Sequence, residues 1–234
     1  MKFCVAIANK IQVCVDPELR AVKRIIKLGE KGIPLADKYT RESDEVFLRR
    51  LDEFPLALKM CYWENHFEWK SLDNYPEING KILDFGCGSG HLDVMLARNG
   101  RTVQGIDLSP IGVSIANYLK SKEGVTVQER LAFSVADVTK DKPVDELFDS
   151  AWSAHVFEHI ADPAPILRGL RNWLKPGSHL LISVPLGDAY DDAGHINHFY
   201  SAGELDDYLR ENVVVKRIDI SIEDQVIRAL CRFT

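Results

Sequence analysis

The sequence predicts an α/β fold: a Rossmann-like, seven-stranded, mostly parallel sheet with helices on both faces, a C-terminal antiparallel hairpin strand and an N-terminal helical cap. Three observations predict it. From Pro76 onward, short apolar runs alternate with amphipathic stretches, the texture of repeated strand–turn–helix units. The first apolar run breaks into a glycine-rich turn, Gly86-Cys87-Gly88-Ser89-Gly90, directly ahead of a helical stretch. The last two runs, Val213 to Ile222 and Gln225 to Phe233, have no helix between them, so the final strand is expected to run antiparallel.

Residues 1–75 read as a mostly helical cap or lid, and 76–234 as the sheet domain. Asp16-Pro17-Glu18 supplies an N-cap, a proline at the first helical position and an early acid. Leu19, Val22 and Ile26 give that helix one apolar face, and Gly29 to Pro34 ends it. A second helical pattern starts near Ser43, carries Phe47, Leu51, Phe54 and Leu58, and runs into Tyr62, Trp63, Phe67 and Trp69. These aromatics either line an apolar pocket or pack the helices on the sheet.

In the sheet domain, Lys81 to Phe85 is the first strand, and Leu92 to Arg98 a helix closed by Asn99-Gly100. Thr102 to Ile106 is the second strand, and Ser109-Pro110 caps the helix that follows. Leu131 to Val135 and Phe148 to Ser153 are the third and fourth strands. A helix from Asp162-Pro163 to Leu174 and a turn at Lys175-Pro176-Gly177 lead into the fifth, His179 to Pro185. Ser201 opens a last helix, Gly203 to Glu211.

Composition narrows the function classes. With 234 residues, 46% of them hydrophobic, the chain can build one full-sized domain plus an appendage. A net charge of −6 argues against binding a nucleic-acid backbone. No apolar run reaches the roughly 18 residues of a membrane span, and the alternation and Lys10 in the first sixteen residues do not suit a signal peptide. The five cysteines are scattered, with no C-x-x-C, so buried thiols in a cytoplasmic, reducing setting are expected. The basic row Arg20, Lys23, Arg24, Lys27 and Lys31 reads as a solvated helix face.

In open α/β sheets the ligand lies beyond the carboxyl ends of the strands, where the glycine loop sits. Asp107 ends the second strand 21 residues beyond Gly86, the position at which a carboxylate accepts from ribose hydroxyls. The dinucleotide pattern G-x-G-x-x-G fails because its sixth position is His91, and no P-loop exists anywhere. After the fourth strand, His155-Val156-Phe157-Glu158-His159 matches H-x-x-E-H, a zinc-peptidase signature that needs a long helix. Here the segment follows a core strand, and Asp162-Pro163 interrupts it. A second pair, His195 and His198, lies in a loop on the carboxyl side, where either could be a general base or a packed residue. Asp188, Asp191 and Asp192 in that loop read as a solvated acidic stretch. No N-P-P-[YFW] follows the fourth strand, which disfavours exocyclic amines of DNA or of protein glutamine as acceptors.

Five blocks fall in one order: ILDFGCGSG (Ile82 to Gly90), GIDLS (Gly105 to Ser109), VADV (Val135 to Val138), FDSAWSAHVFEHI (Phe148 to Ile160) and LRNWLKPGSHLLISVP (Leu170 to Pro185). In these the chain resembles class I S-adenosylmethionine-dependent methyltransferases, near the group of ubiquinone- and menaquinone-pathway enzymes. The resemblance implies S-adenosyl-L-methionine as cofactor and S-adenosyl-L-homocysteine as product. Asp84, Gly86, Gly88 and Gly90 would hold the methionine end, with Cys87 in the loop and Ala154 at the end of the fourth strand in the same site. Asp107 would bind the ribose, Leu108 pack on the adenine, and Asp137 accept from the adenine amino group with Val138 beside it. The alternative for Asp107 and Asp137 is a surface turn acid.

Opposite the methyl group the candidates are His159, His198, His155 and Glu158. In quinone-pathway O-methyltransferases the matching segment reads E-x-x-E-H and has been linked to a divalent metal. Here His155 replaces the first acid, and no metal is assigned. The expected function is methyl transfer to a small-molecule acceptor, an oxygen nucleophile first, by a monomer or homodimer with no nucleic-acid partner. Other chemistry on the same sulfonium, or a non-catalytic scaffold, are the alternatives.

Overall fold

A computed structural model describes residues 63–64, 66–143, 146–190 and 194–233. The helices expected between 16 and 62, the basic row, Tyr62, Asp191 and Asp192 lie outside the described residues. Helix α1 (Phe67–Ser71) and a 3-10 turn (Leu72–Asn74) lead into β1 (Lys81–Phe85), α2 (His91–Arg98), β2 (Thr102–Asp107), α3 (Pro110–Ser121) and a short α4 (Val125–Gln128). There follow β3 (Leu131–Val135), β4 (Phe148–Ala154), a 3-10 turn (Phe157–His159), α5 (Ala164–Arg171) and β5 (Leu174–Pro185). Helix α6 (Ala202–Leu209) precedes β6 (Val214–Ser221) and β7 (Val226–Arg232).

The seven strands form one sheet in the order β3-β2-β1-β4-β5-β7-β6. Strands β1 to β5 pair in parallel, and β7 is inserted antiparallel between β5 and β6. The expected single antiparallel strand is therefore present, one place in from the edge. Alternation along the central strands separates two cores. Ile82, Val103, Trp152, Leu181 and Leu230 face α2 and α3, while Leu83, Ile106, Ala151, Leu180 and Ala229 face α5 and α6. Burial on both faces is what makes these strands read as nearly continuous apolar runs. Leu72 and Tyr75, ahead of the expected boundary at 75/76, belong to the same core as β1 and α2.

The sequence places two helix starts well. Ser109 Oγ accepts from the Gly112 N–H at 3.0 Å and Ser201 Oγ from the Glu204 N–H at 3.3 Å, each capping the helix expected there. One boundary needs correction. Helix α5 stops at Arg171, not Leu174, because Leu174 already pairs with Phe148 as the first residue of β5. The Lys175-Pro176-Gly177 turn is an irregularity inside β5, between the pairs Phe148–Leu174 and Ser150–His179. Trp173 stacks on Phe148 with ring centroids 6.3 Å apart, which draws the chain into the core before helical spacing would end. No helix among the described residues is long and apolar enough to cross a membrane.

Candidate active site at the carboxyl edge of the sheet

The glycine loop turns at the end of β1 because its backbone is held against β2. The N–H groups of Gly86 and Cys87 both donate to the Ile106 carbonyl, at 2.9 and 3.0 Å. Asp107 then fastens the loop: Oδ2 accepts from the Gly88 N–H and Oδ1 from the Ser109 N–H, each at 2.8 Å. Gly90 caps α2 in the left-handed region (φ 71°), and a Cβ there would lie 2.6 Å from Ala116 Cβ and 2.8 Å from the Phe133 ring. Only glycine meets both demands. The Cys87 side chain packs on the bare face of Gly105, where an added Cβ would stand 2.8 Å from Sγ. Burial pushes its thiol well above the usual range, consistent with packing rather than nucleophilic chemistry.

Beyond Asp107 the edge is apolar and open. Leu108 and Val135, at the ends of β2 and β3, are 38% and 50% exposed. Asp137 lies beside them: its Oδ1 accepts from Thr139 N and Oγ1 at 2.9 and 2.6 Å, and Lys140 Nζ stands 2.7 Å from Oδ2. Burial would raise this carboxyl, but Lys140 and Thr139 outweigh it and hold the pKa below the ordinary value. Val138 points the other way, 3% exposed in the core, and its carbonyl packs against Gly169 of α5. Ala154, half-buried at the end of β4, packs against the core under α2 and α3.

The acceptor side is built after β4. His155 takes a left-handed backbone (φ 56°) and donates its N–H to the Ser183 carbonyl at 2.9 Å. Its ring is held from both ends, with Nε2 3.1 Å from Glu68 Oε1 and Nδ1 3.6 Å from Glu158 Oε1. An acid against each ring nitrogen favours the doubly protonated form. Burial opposes that charge, yet the flanking Glu158 and Glu68 carboxylates prevail and raise the pKa to about 9. The two acids favour the charged form of His155 near neutral pH, which disfavours it as a base.

Glu68, in α1, is fully buried. Ser183 Oγ donates to its Oε1 at 2.9 Å and Arg228 Nη2 approaches Oε2 at 3.5 Å, so its pKa falls despite burial. Arg228, itself buried on β7, lies 5.7 Å from the Phe67 ring centre. Phe67 in turn stacks near Tyr190, whose ring meets His155 edge-on.

His159 is arranged differently. Its Nδ1 lies 2.9 Å from the Gly194 carbonyl, which makes that nitrogen the N–H donor, so that in a neutral ring the lone pair lies on Nε2. The ring is exposed and stands edge-on to His195 at 4.8 Å. The β5–α6 loop reaches this point because Ile196 and Asn197 donate their N–H groups to the Glu158 carbonyl, both at 3.0 Å. Asn197 Nδ2 also donates to the Ile160 carbonyl at 2.7 Å. Donor atoms of Glu158, His159 and His195 lie within 4.8 Å of one another, a grouping able to hold a metal ion. His198, exposed, pairs with Asp188 at 3.3 Å, and its ring centre lies 6.3 Å from that of His195.

The H-x-x-E-H peptidase reading does not survive. His155 ends a strand with positive φ and Phe157–His159 is a single 3-10 turn, so the two histidines do not share a helix face. Sequence reasoning missed Glu68, Tyr190 and Arg228. Only Arg228 carries a signal, as a charge between apolar neighbours in the middle of the strand Val226–Arg232.

Comparison with known proteins agrees with this geometry. A family profile described as a methyltransferase domain matches residues 66–212, well over half of the chain. A ubiquinone biosynthesis O-methyltransferase of Xylella fastidiosa (strain 9a5c) is 30% identical over 162 residues, covering 64% of this chain and 64% of its own length. The match thus spans less than two thirds of that relative. Among solved structures, a SAM-dependent methyltransferase from Aquifex aeolicus superposes with a TM-score of 0.61 at 20% identity, over 73% of this chain and 92% of its own. The [4+2]-cyclase SpnF also reaches 0.61, at 18% identity, over 71% and 80%. Strand order, glycine loop and family match converge: the chain belongs to the class I S-adenosylmethionine-dependent methyltransferase family.

Proposed function

We propose that the protein transfers a methyl group from S-adenosylmethionine to a small-molecule acceptor through an oxygen nucleophile. The residues present fit the cofactor. Asp107 accepts from the Gly88 and Ser109 N–H groups, which fixes its carboxylate at the end of β2, where an acid accepts from ribose hydroxyls. Exposed Leu108 and Val135 offer the apolar surface an adenine needs, and Asp84 offers a carboxylate to the amino-acid end. When bound, the cofactor supplies an electrophilic methyl group on a sulfonium.

The chain's own residues then have to position the acceptor, exclude water and take its proton. The observation that carries the oxygen reading is the tautomer of His159. With Nδ1–H committed to Gly194, Nε2 is poised to accept a proton from an acceptor hydroxyl. His195 and Glu158 flank it, and the cationic His155 favours an oxygen that gains negative charge as it reacts. Phe67 and Tyr190 form an aromatic wall beside His155.

The test is calorimetric titration with S-adenosylmethionine and S-adenosylhomocysteine, with NAD as control, followed by an acceptor screen of small hydroxylated compounds. Binding of both adenosyl ligands but not NAD, and turnover of a hydroxylated compound that drops about 100-fold or more in His159→Ala, is the expected result. Binding of neither ligand sinks the cofactor assignment, and undiminished turnover in His159→Ala sinks the base.

A further inference from the structure

Among the described residues, Arg228 is the only lysine or arginine buried from solvent. Strand β7 runs antiparallel to β5, so it begins at the carboxyl edge, and Arg228 lies near that end. It pairs with Ser183 of β5, and Ser183 pairs with Ala154 of β4. Two strand spacings, about 10 Å, thus separate the Arg228 backbone from Ala154, after which the acceptor side begins.

The guanidinium is under-paired. Its nearest acid is Glu68, whose Oε2 stands 3.5 Å from Nη2 and whose Oε1 already accepts from Ser183 Oγ at 2.9 Å. Nε and Nη2 are closed off from water and meet no hydrogen-bond partner among the described residues. Asp219, directly across on β6, is engaged elsewhere: Tyr75 Oη donates to its Oδ2 at 2.8 Å, and Arg217 Nε stands 2.8 Å from the same oxygen. Asp224, beyond β6, takes the Ser221 hydroxyl on Oδ2 at 2.8 Å. Charged donors left buried and unpaired cost free energy that a bound anion would recover. The N–H groups of Nε and Nη2 lie side by side on one edge of the guanidinium, the parallel pair that takes both oxygens of a carboxylate. Aromatic rings lead up to it. Phe67 has its ring centre 5.7 Å from the guanidinium carbon and stacks near Tyr190, which is 51% exposed.

We propose that Arg228 is a specificity-determining residue that binds a carboxylate of the methyl acceptor, reached when the Phe67 ring turns aside, so that the acceptors are hydroxylated aromatic acids and not neutral phenols. This inference rests on the methyl-transfer reading above and adds to it the charge of the acceptor and the residue that selects it. The ring of such an acid stacks along Phe67 and Tyr190. A neutral acceptor leaves both donors of Arg228 unpaired, and a site built around polar groups rejects a ligand that cannot meet them.

The experiment is calorimetric titration of the full chain, saturated with S-adenosylhomocysteine at neutral pH. The ligands are hydroxybenzoates, hydroxyphenylacetates and hydroxycinnamates, each compared with its uncharged amide. At least one acid should bind roughly tenfold or more tightly than its amide. In Arg228→Gln that preference should fall to about twofold or less, and Arg228→Lys, which keeps the charge opposite Glu68 but loses the fork, should lie between. Equal binding of every acid and its amide to the wild-type protein, or binding of none of them, overturns the anchor. A preference that persists undiminished in Arg228→Gln also overturns it, since another cation such as His155 then holds the anion. Should Arg228→Gln fail to fold, an undiminished preference in Arg228→Lys overturns the anchor in its place. These titrations need no turnover, so equal binding of acid and amide spares the methyl-transfer reading, whereas a wild-type protein that does not bind S-adenosylhomocysteine overturns both.

Discussion

Glu68 Oε1 lies 3.1 Å from His155 Nε2, although 87 positions separate the two residues. The bond ties α1, ahead of the sheet, to the end of β4, and Ser183 and Arg228 close the same network from β5 and β7. Four elements are thus clamped by one buried carboxylate beside the candidate acceptor site. Removing one member of such a set leaves the others charged and unpaired, which costs more than the pair contributes net.

Glu68→Gln should lower stability by about 3 kcal/mol, the low end for breaking a buried ion pair, because glutamine keeps the shape and one acceptor. Chemical denaturation measures it. A change within a few tenths of a kcal/mol would mean that Arg228 and His155 do not depend on this carboxylate. In the same variant the His155 ring, followed by NMR of labelled histidine, should titrate well below its wild-type midpoint of about 9.

The pH dependence of stability follows from the same pair. His155 has a folded-state pKa of about 9, raised from 6.5, so its contribution is fully present below 6.5 and is lost as pH rises through about 9. Glu68 is shifted the other way. Its contribution is present above its unfolded value of 4.5 and is lost as pH falls through its lowered folded value. Thermal melts should therefore peak between about 4.5 and 6.5 for these two groups, and the alkaline decline should disappear in His155→Ala. An alkaline limb unchanged in that variant would assign the decline elsewhere.

Gly90→Ala should cost about 1–3 kcal/mol, from left-handed strain together with overpacking against Ala116 and Phe133. Its S-adenosylhomocysteine affinity should fall as well, since the loop has to shift to admit the methyl group. Wild-type melting and affinity together would show that the loop relaxes freely.

Asp107→Ala strips the acceptor from the Gly88 and Ser109 N–H groups. At about 1–3 kcal/mol for each donor left unsatisfied, S-adenosylhomocysteine binding should weaken at least tenfold. Asp107→Asn, which keeps one acceptor oxygen, should fall between that variant and wild type. Unchanged affinity in Asp107→Ala would misplace the ribose.

By itself, the sequence determined the strands, the glycine loop and the helix caps, because these rest on local chemistry. Lys81–Phe85 and Leu131–Val135 lie where apolar runs put them, and Ser109 and Ser201 cap the helices they announce. It also placed Asp107 and the histidines at the carboxyl edge, since every βα junction of a parallel sheet ends on that side. Tertiary structure decided what those histidines are. His155 and His159 sit four residues apart, yet one meets carboxylates from α1 and its own turn, which favour its charged form, while the other meets a backbone carbonyl. Protonation depends on which charges lie within a few ångströms, and folding brings those together from residues far apart in the chain.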